Sequence, residues 1–187
     1  MRNDDSGLTL VELIVYSLLL VSVLLIVGTI MISTLNLERI VRETTLTASE
    51  AQIATTTIES GVRNASHVDL TTIGDDQLLR VRTVGSTPGS AQWSCRGWYY
   101  SDSTNTLRST RTANDSIEIA APTGEPTGWT LLATGVTPAA LAGIFGLDAA
   151  TNSVTIDFQG ITEDSSPIAI HTSVTPRVVS AEETTCF

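Results

Sequence analysis

Lysine is missing altogether: the ten basic residues of this 187-residue chain are all arginine, set against twenty acids for a formal net charge of −10. A surface that acidic argues against broad, non-specific nucleic-acid binding. Aromatic residues make up only 5% of the chain. Outside one apolar run the composition is rich in Thr and Ser, as in exposed β-rich domains. There is no CxxC, no HExxH, no glycine loop for phosphate and no internal repeat. A Cys–His hydrolase needs a nucleophile beside a base, and nothing in the sequence ties His67 or His171 to Cys95. Both histidines read as incidental; the chain reads as no enzyme, with no cofactor and no metal. Asp148, Asp157, Glu163 and Asp164 offer hard oxygen ligands of the kind calcium takes. Their spacing fits no calcium loop, and a solvated acidic surface accounts for them.

What is present begins with residues 13–32, which hold no charged side chain and of which fifteen are Leu, Ile, Val or Met. Twenty such residues rise ~30 Å as a helix, enough to cross a hydrocarbon core. A cleaved secretory signal has an apolar region of only ~7–15 residues ending in a small-residue site. This run is longer and no such site follows, so it reads as a retained membrane helix. Glu12 stands at its edge. A carboxylate inside a spanning segment costs roughly 2.5–3.5 kcal/mol and marks function by default; one at the headgroup edge marks nothing. The residue chemistry leaves both readings open.

Gly7-Leu8-Thr9-Leu10-Val11-Glu12 followed by the apolar run resembles the class III signal of type IV prepilins and pseudopilins. The resemblance covers about the first fifth of the chain. It implies a membrane prepilin peptidase that cuts after Gly7 and N-methylates Leu8, leaving Glu12 as the fifth residue of the mature chain. The new α-amine at Leu8 is then the partner of an uncompensated Glu12 in a neighbouring subunit. Desolvated opposite charges attract far more strongly than in water, and an unpaired one is costly, so such a pair sets the axial register of packed subunits. Two features depart from the family pattern. The leader carries Arg2 beside Asp4 and Asp5, less basic than is usual. Thr29 also stands where many members have a proline, which leaves Gly28 as the one weak point of the membrane half.

Beyond the membrane run the helix is expected to continue, amphipathic, through residues 36–66. Leu37, Val41, Thr44, Ala48, Ala51, Thr55, Ile58, Val62 and Ala65 recur at alternating spacings of four and three. The stripe is thin, suited to close packing on a sheet. Together the two halves predict one helix of ~87 Å. Val-Arg-Asn-Ala at 62–65 resembles the helix end of the larger minor pilins and pseudopilins, the PilW and J types. Period-two stretches then predict strands at 78–84, 91–101, 106–112, 116–120, 129–136, 153–159 and 167–178. The second and third of these read as a hairpin across a Asp-Ser-Thr-Asn turn. Breaks fall at 87–89, 122–128, Pro138 and 165–167. The expected organisation is a leader at 1–7, a transmembrane and assembly helix at 8–35, the amphipathic half at 36–66 and one β-rich globular domain at 67–187. The fold class is α+β, a long N-terminal helix packed on an antiparallel sheet, pilin-like in layout.

Cys95 and Cys186 are too far apart in sequence for a metal motif. In an exported domain they read as one disulfide joining the chain's end to its middle, and otherwise as two half-buried thiols. Charge is segregated. Arg80, Arg82, Arg96, Arg108 and Arg111 face a single acid, Asp102, within their span, whereas residues 112–187 carry nine acids and only Arg177. Three readings stand: a basic patch that grips single-stranded DNA or an acidic partner, cross-strand pairing of a basic hairpin with acidic strands, or head-to-tail contact between subunits.

The resemblance implies a structural minor pilin or pseudopilin that joins or primes a filament. Its partners would be other pilin subunits, the prepilin peptidase, an inner-membrane assembly platform and, before assembly, membrane lipid. The globular domain would lie outside a bacterial cytoplasmic membrane. Counting Arg2 against Arg39 and Arg42, the positive-inside rule points the other way, and the cleavage motif is given precedence. Glu12 fits a subunit that sits beneath another, because the family's extreme tip component commonly lacks it. The rivals are a DNA- or surface-binding pilus component and a bitopic membrane protein with an unrelated exported domain.

Overall fold

The computed structural model describes residues 9–87, 90–139, 143–161, 166–177 and 186–187. The leader, Gly7 and Leu8 lie outside the described residues, as do Glu163, Asp164, the Pro88-Gly89 break and the end of the last expected strand. The chain divides into two compact units, residues 1–42 and 43–187. One helix, α1 (Leu10–Arg63), contributes to both.

In the first unit residues 13–32 of α1 carry no charge on any side. Leu, Ile and Val side chains from Leu10 onward are exposed, and none of its most apolar stretch is buried within the chain. It is long and apolar enough to cross a membrane. Four of its hydroxyls are satisfied internally: Ser17 donates to the carbonyl of Ile14, Ser22 to Leu18, Thr29 to Ile26 and Thr34 to Ile30, at 2.8–2.9 Å. A hydrocarbon environment requires this, because it offers no water to do the same.

In the second unit the end of α1 packs on antiparallel sheet. Five strands run in order β1 (Ala65–Ile73), β2 (Asp76–Thr87), β3 (Ser90–Ser101), β4 (Thr106–Arg111) and β5 (Thr130–Thr134). In a second sheet, β6 (Val136–Pro138) and β7 (Phe145–Asp148) lie end to end along one edge of β8 (Ser153–Gly160), and β9 (Ile168–Val174) pairs with its other edge. The α+β layout of a long N-terminal helix on antiparallel sheet is as the sequence implies.

Alternation assigns the two faces of the first sheet. Leu79, Val81, Trp98, Tyr100 and Leu107 face Ala51, Ala54, Ile58 and Val62 of the helix, and the core is completed by Phe145, Val154, Ile156 and Phe158 of the second sheet. Each fully buried Leu, Ile, Val or Phe contributes ~1.5–3 kcal/mol. On the reverse face Leu78, Cys95, Tyr99, Ile119 and Cys186 form a smaller cluster, and the disulfide joins Cys95 to Cys186 across it.

Several expectations need correcting. The buried stripe of α1 is Ala51, Ala54, Ile58, Gly61 and Val62, with Leu37 and Val41 exposed and Thr55 only half-buried. Gly61 was passed over as apolar surface, yet its missing side chain is what lets the helix rest on Trp98. The helix ends at Arg63, and β1 starts at Ala65. That strand was not anticipated because Asp69 interrupts its apolar pattern; Asp69 sits directly opposite Arg80 of β2, which supplies the missing charge. The loop between them is Gly74-Asp75, with Gly74 at φ +65°, a left-handed position a tight hairpin favours. Residues 116–120 form no strand. The Ile119 N–H donates instead to the Cys186 carbonyl at 3.1 Å, and its own carbonyl accepts from Arg80 at 3.1 Å. The strand expected at 129–136 breaks at Gly135, where the chain leaves the first sheet for the second. The short β7 was also missed.

Two carboxylates hold the ends of the β-hairpins. Asp76 accepts from the Tyr99 phenol and, at 2.8 Å, from the Asp102 N–H; Asp102 in turn accepts from the Tyr100 phenol at 3.0 Å. Burial first, then the hydrogen bond and charge of Asp76, push the Tyr99 phenol up to about 12. Burial and Asp102 push Tyr100 higher still. An unfolded tyrosine ionises near ~10. A proton held more tightly in the folded state stabilises it fully below pH ~10, and that contribution is lost as pH rises through the folded values. Urea midpoints are therefore expected to fall steeply between pH 10 and about 12, with the tyrosinate absorbance of Tyr99 and Tyr100 appearing only as the fold is lost. Tyr99→Phe should flatten part of that decline.

Candidate functional site

At the start of α1 Thr9 acts as the cap. Its Oγ accepts from the Glu12 N–H at 3.3 Å and its carbonyl from the Leu13 N–H at 3.2 Å. Thr-x-x-Glu is the sequence pattern of a capping box, and the carboxylate in the first turn complements the helix dipole. Glu12 Oε1 accepts from the Tyr16 phenol one turn on, at 3.1 Å. The acid thus has a neutral hydrogen-bond partner on its own helix. Sequence reading named the amine of a neighbouring subunit and overlooked Tyr16, although the i, i+4 spacing on a helix gives that pair away.

The five arginines singled out by charge segregation do not form one patch. Three belong to the reverse face and are paired. Arg80 binds Asp69 at 2.6 Å, Arg82 binds Asp115 at 2.9 Å and Arg108 binds Glu125. Arg82 also covers the Trp93 ring at 4.2 Å, and Arg80 the ring of Phe187 at 5.3 Å. The second reading expected cross-strand pairing with acidic strands in residues 112–187; the one cross-strand partner, Asp69, lies instead in β1, and Asp115 and Glu125 lie between strands.

Arg96 and Arg111 lie on the other face. They are Cα partners across β3 and β4, in line with Trp98 and Ser109. The helix reaches Trp98 through Gly61 and then stops. Beyond it a cleft of about 500 Å³ opens, lined by Ser60, Arg63, Asn64, Thr83, Arg96, Arg111 and Arg177 among others. Arg63 and Arg177 were not in the predicted patch. The chain brings them in by ending α1 there and by returning after β9, where the Arg177 N–H donates to the Arg63 carbonyl at 3.2 Å. Burial, and then the charge of Arg111, hold the Arg96 guanidinium below its usual value.

The remaining predicted residues are scattered. Cys95 is bonded to Cys186 and offers no thiol to a base. His67 stacks on Phe187 at 5.3 Å between ring centroids, and the exposed His171 lies 3.4 Å from Asp157. Asp148 accepts from the Ala150 N–H and the Thr151 hydroxyl at 2.9 and 2.8 Å, bonds that hold its carboxyl below the usual range. Among the described residues no three His, Cys, Asp or Glu side chains converge as a metal site would need. No protein-family model matches the chain, and neither a curated protein nor a solved structure matches it.

Proposed function

We propose that the chain is a structural subunit of a type IV pilus-like filament, a minor pilin or pseudopilin. A prepilin peptidase cuts it after Gly7 and N-methylates Leu8. Until assembly α1 lies in membrane lipid with the globular domain outside. It then enters the filament through α1, delivered by an inner-membrane assembly platform, and Glu12 meets the α-amine of a neighbouring subunit.

The observation that carries this reading is Glu12 itself. It is the lone charged side chain between Thr9 and Leu37, in the exposed apolar part of α1. Its only hydrogen-bond partner among the described residues besides its own cap is the phenol of Tyr16. A phenol satisfies one lone pair and leaves the charge uncompensated, which fits a group held for a cation from elsewhere. The α+β layout with a long apolar helix at its start agrees with such a subunit.

Mass spectrometry of the mature protein is expected to give an N-methylated Leu8 terminus. An intact Met1 supports the bitopic alternative. Breaking a buried charge pair costs ~3–5 kcal/mol, so Glu12→Ala should reduce incorporation into filaments by about two orders of magnitude or more, measured as the ratio of sheared to cell-bound protein. Incorporation equal to wild type removes the register role.

A further inference from the structure

Among the described residues, the lining of the cleft at the end of α1 includes four arginines, Arg63, Arg96, Arg111 and Arg177, and no carboxylate. Among the described residues none of the four has an acid within ion-pair distance, in contrast to Arg80, Arg82 and Arg108. Two of them, Arg96 and Arg111, have their side chains held in place. Arg96 lies over the Trp98 ring at 5.5 Å, Arg111 Nε donates to the Ser94 hydroxyl at 3.3 Å, and the Arg177 backbone is tied to Arg63. Arg63, in the last turn, offsets the carbonyl end of the helix dipole; the other three have no such counterpart. Like charges set directly opposite on neighbouring strands destabilise a sheet, and here Arg96 and Arg111 are so placed. A protein that pairs the arginines of one face and, among the described residues, gives those of the other no acid, inside a concavity, has built a place for an anion.

We propose that this cleft binds a phosphate-class oxyanion carrying more than one charge. A guanidinium offers a planar fork of donors that matches phosphate bidentately. Thr83 and Ser60 add hydroxyls at the wall. A single carboxylate would neutralise one of the four cations and leave the rest facing one another, whereas a diphosphate or phosphomonoester answers several at once. The volume, about 500 Å³, lies within the range of small-ligand sites. No aromatic ring is among the described lining residues, so base stacking is not what the cleft is built for and the group recognised is the phosphate itself. A free phosphate and a lipid headgroup present the same chemistry. The inference stands apart from the filament reading and survives its failure.

The test uses the full chain in a neutral detergent, titrated calorimetrically with pyrophosphate and, separately, with phosphatidic acid added to the micelles. Saturable binding of pyrophosphate is expected, and the Arg96→Gln/Arg111→Gln variant should bind at least ~tenfold more weakly. Arg42→Gln, outside the cleft, should match wild type. Because relief of the Arg96–Arg111 repulsion favours folding, Arg111→Gln alone should melt no lower than wild type and should lose the upward melting shift that pyrophosphate gives. Binding of phosphatidic acid alone, with the same dependence on Arg96 and Arg111, supports the site and assigns it to headgroups. Two results overturn the proposal: no saturable binding of either phosphate, or a polyglutamate peptide that binds the cleft more tightly than pyrophosphate.

Discussion

Replacing Cys95 and Cys186 together by alanine is expected to lower the stability of the C-terminal unit by ~4–5 kcal/mol. The bond closes a span of 91 residues, and by the chain-entropy account a loop of that length constrains the unfolded state by this amount. Native contacts add to it. Cys186 receives the Ile119 N–H, and Phe187 lies against His67 and beneath Arg80. Freeing the last residues therefore loosens the whole reverse-face cluster. Denaturation in urea, with and without reductant, measures the effect. Since there is one bond to lose, Cys95→Ala and Cys186→Ala should each show nearly the full loss, and the double variant little more. A loss under ~1 kcal/mol would mean that the native bond is strained or the unfolded chain already compact.

The second large effect is expected at Trp98. This residue is fully buried, and its truncation to alanine should cost ~3–5 kcal/mol. Its position explains Gly61. A Cβ there would run into Trp98 Cη2 and come within 2.8 Å of Cζ2. Alanine is ordinarily worth ~1 kcal/mol more than glycine inside a helix, so the sign at Gly61 depends on whether the ring can yield. The ring is fully buried in one cluster with Leu79, Val81 and Tyr100, which leaves it little room, and Gly61→Ala should destabilise by ~1–3 kcal/mol through overpacking. Trp98→Phe removes the outer ring and an indole N–H that has no partner among the described residues, and should be milder than Trp98→Ala. Combined with Gly61→Ala it should cost less than the two measured singly, because the smaller ring makes room for the methyl group. Strict additivity of the two would sink this account of their contact.

How much of this could be read from the sequence depends on what each feature rests on. The apolar helix, the hairpin of β3 and β4 and β8, with its strict alternation, were legible because their signal is local periodicity. β1 was hidden because its charge is balanced by a residue eleven positions away, Arg80, and no local window contains that partner. The single strand expected at 129–136 failed for a related reason: one residue at positive φ, Gly135, sends the chain to another sheet. The arginine patch is the instructive case. Within β2 and β4, parity alone separates Arg80, Arg82 and Arg108 from Arg111, once the register is known. Net charge along the sequence discards that parity. Arg63 and Arg177 lay beyond any such window, since only the end of the helix and the return of the chain after β9 bring them to the same wall. Glu12 was legible as a motif, while its bond to Tyr16 required the helix to be taken seriously as a helix.

The place where α1 stops has one more consequence. Each further turn of helix would advance ~5.4 Å over the row that contains Arg96 and Arg111, roofing with backbone what is now open to solvent. An insertion of three or four residues after Val62 should act as a shutter. It would leave every lining arginine in the sequence and abolish the opening between them.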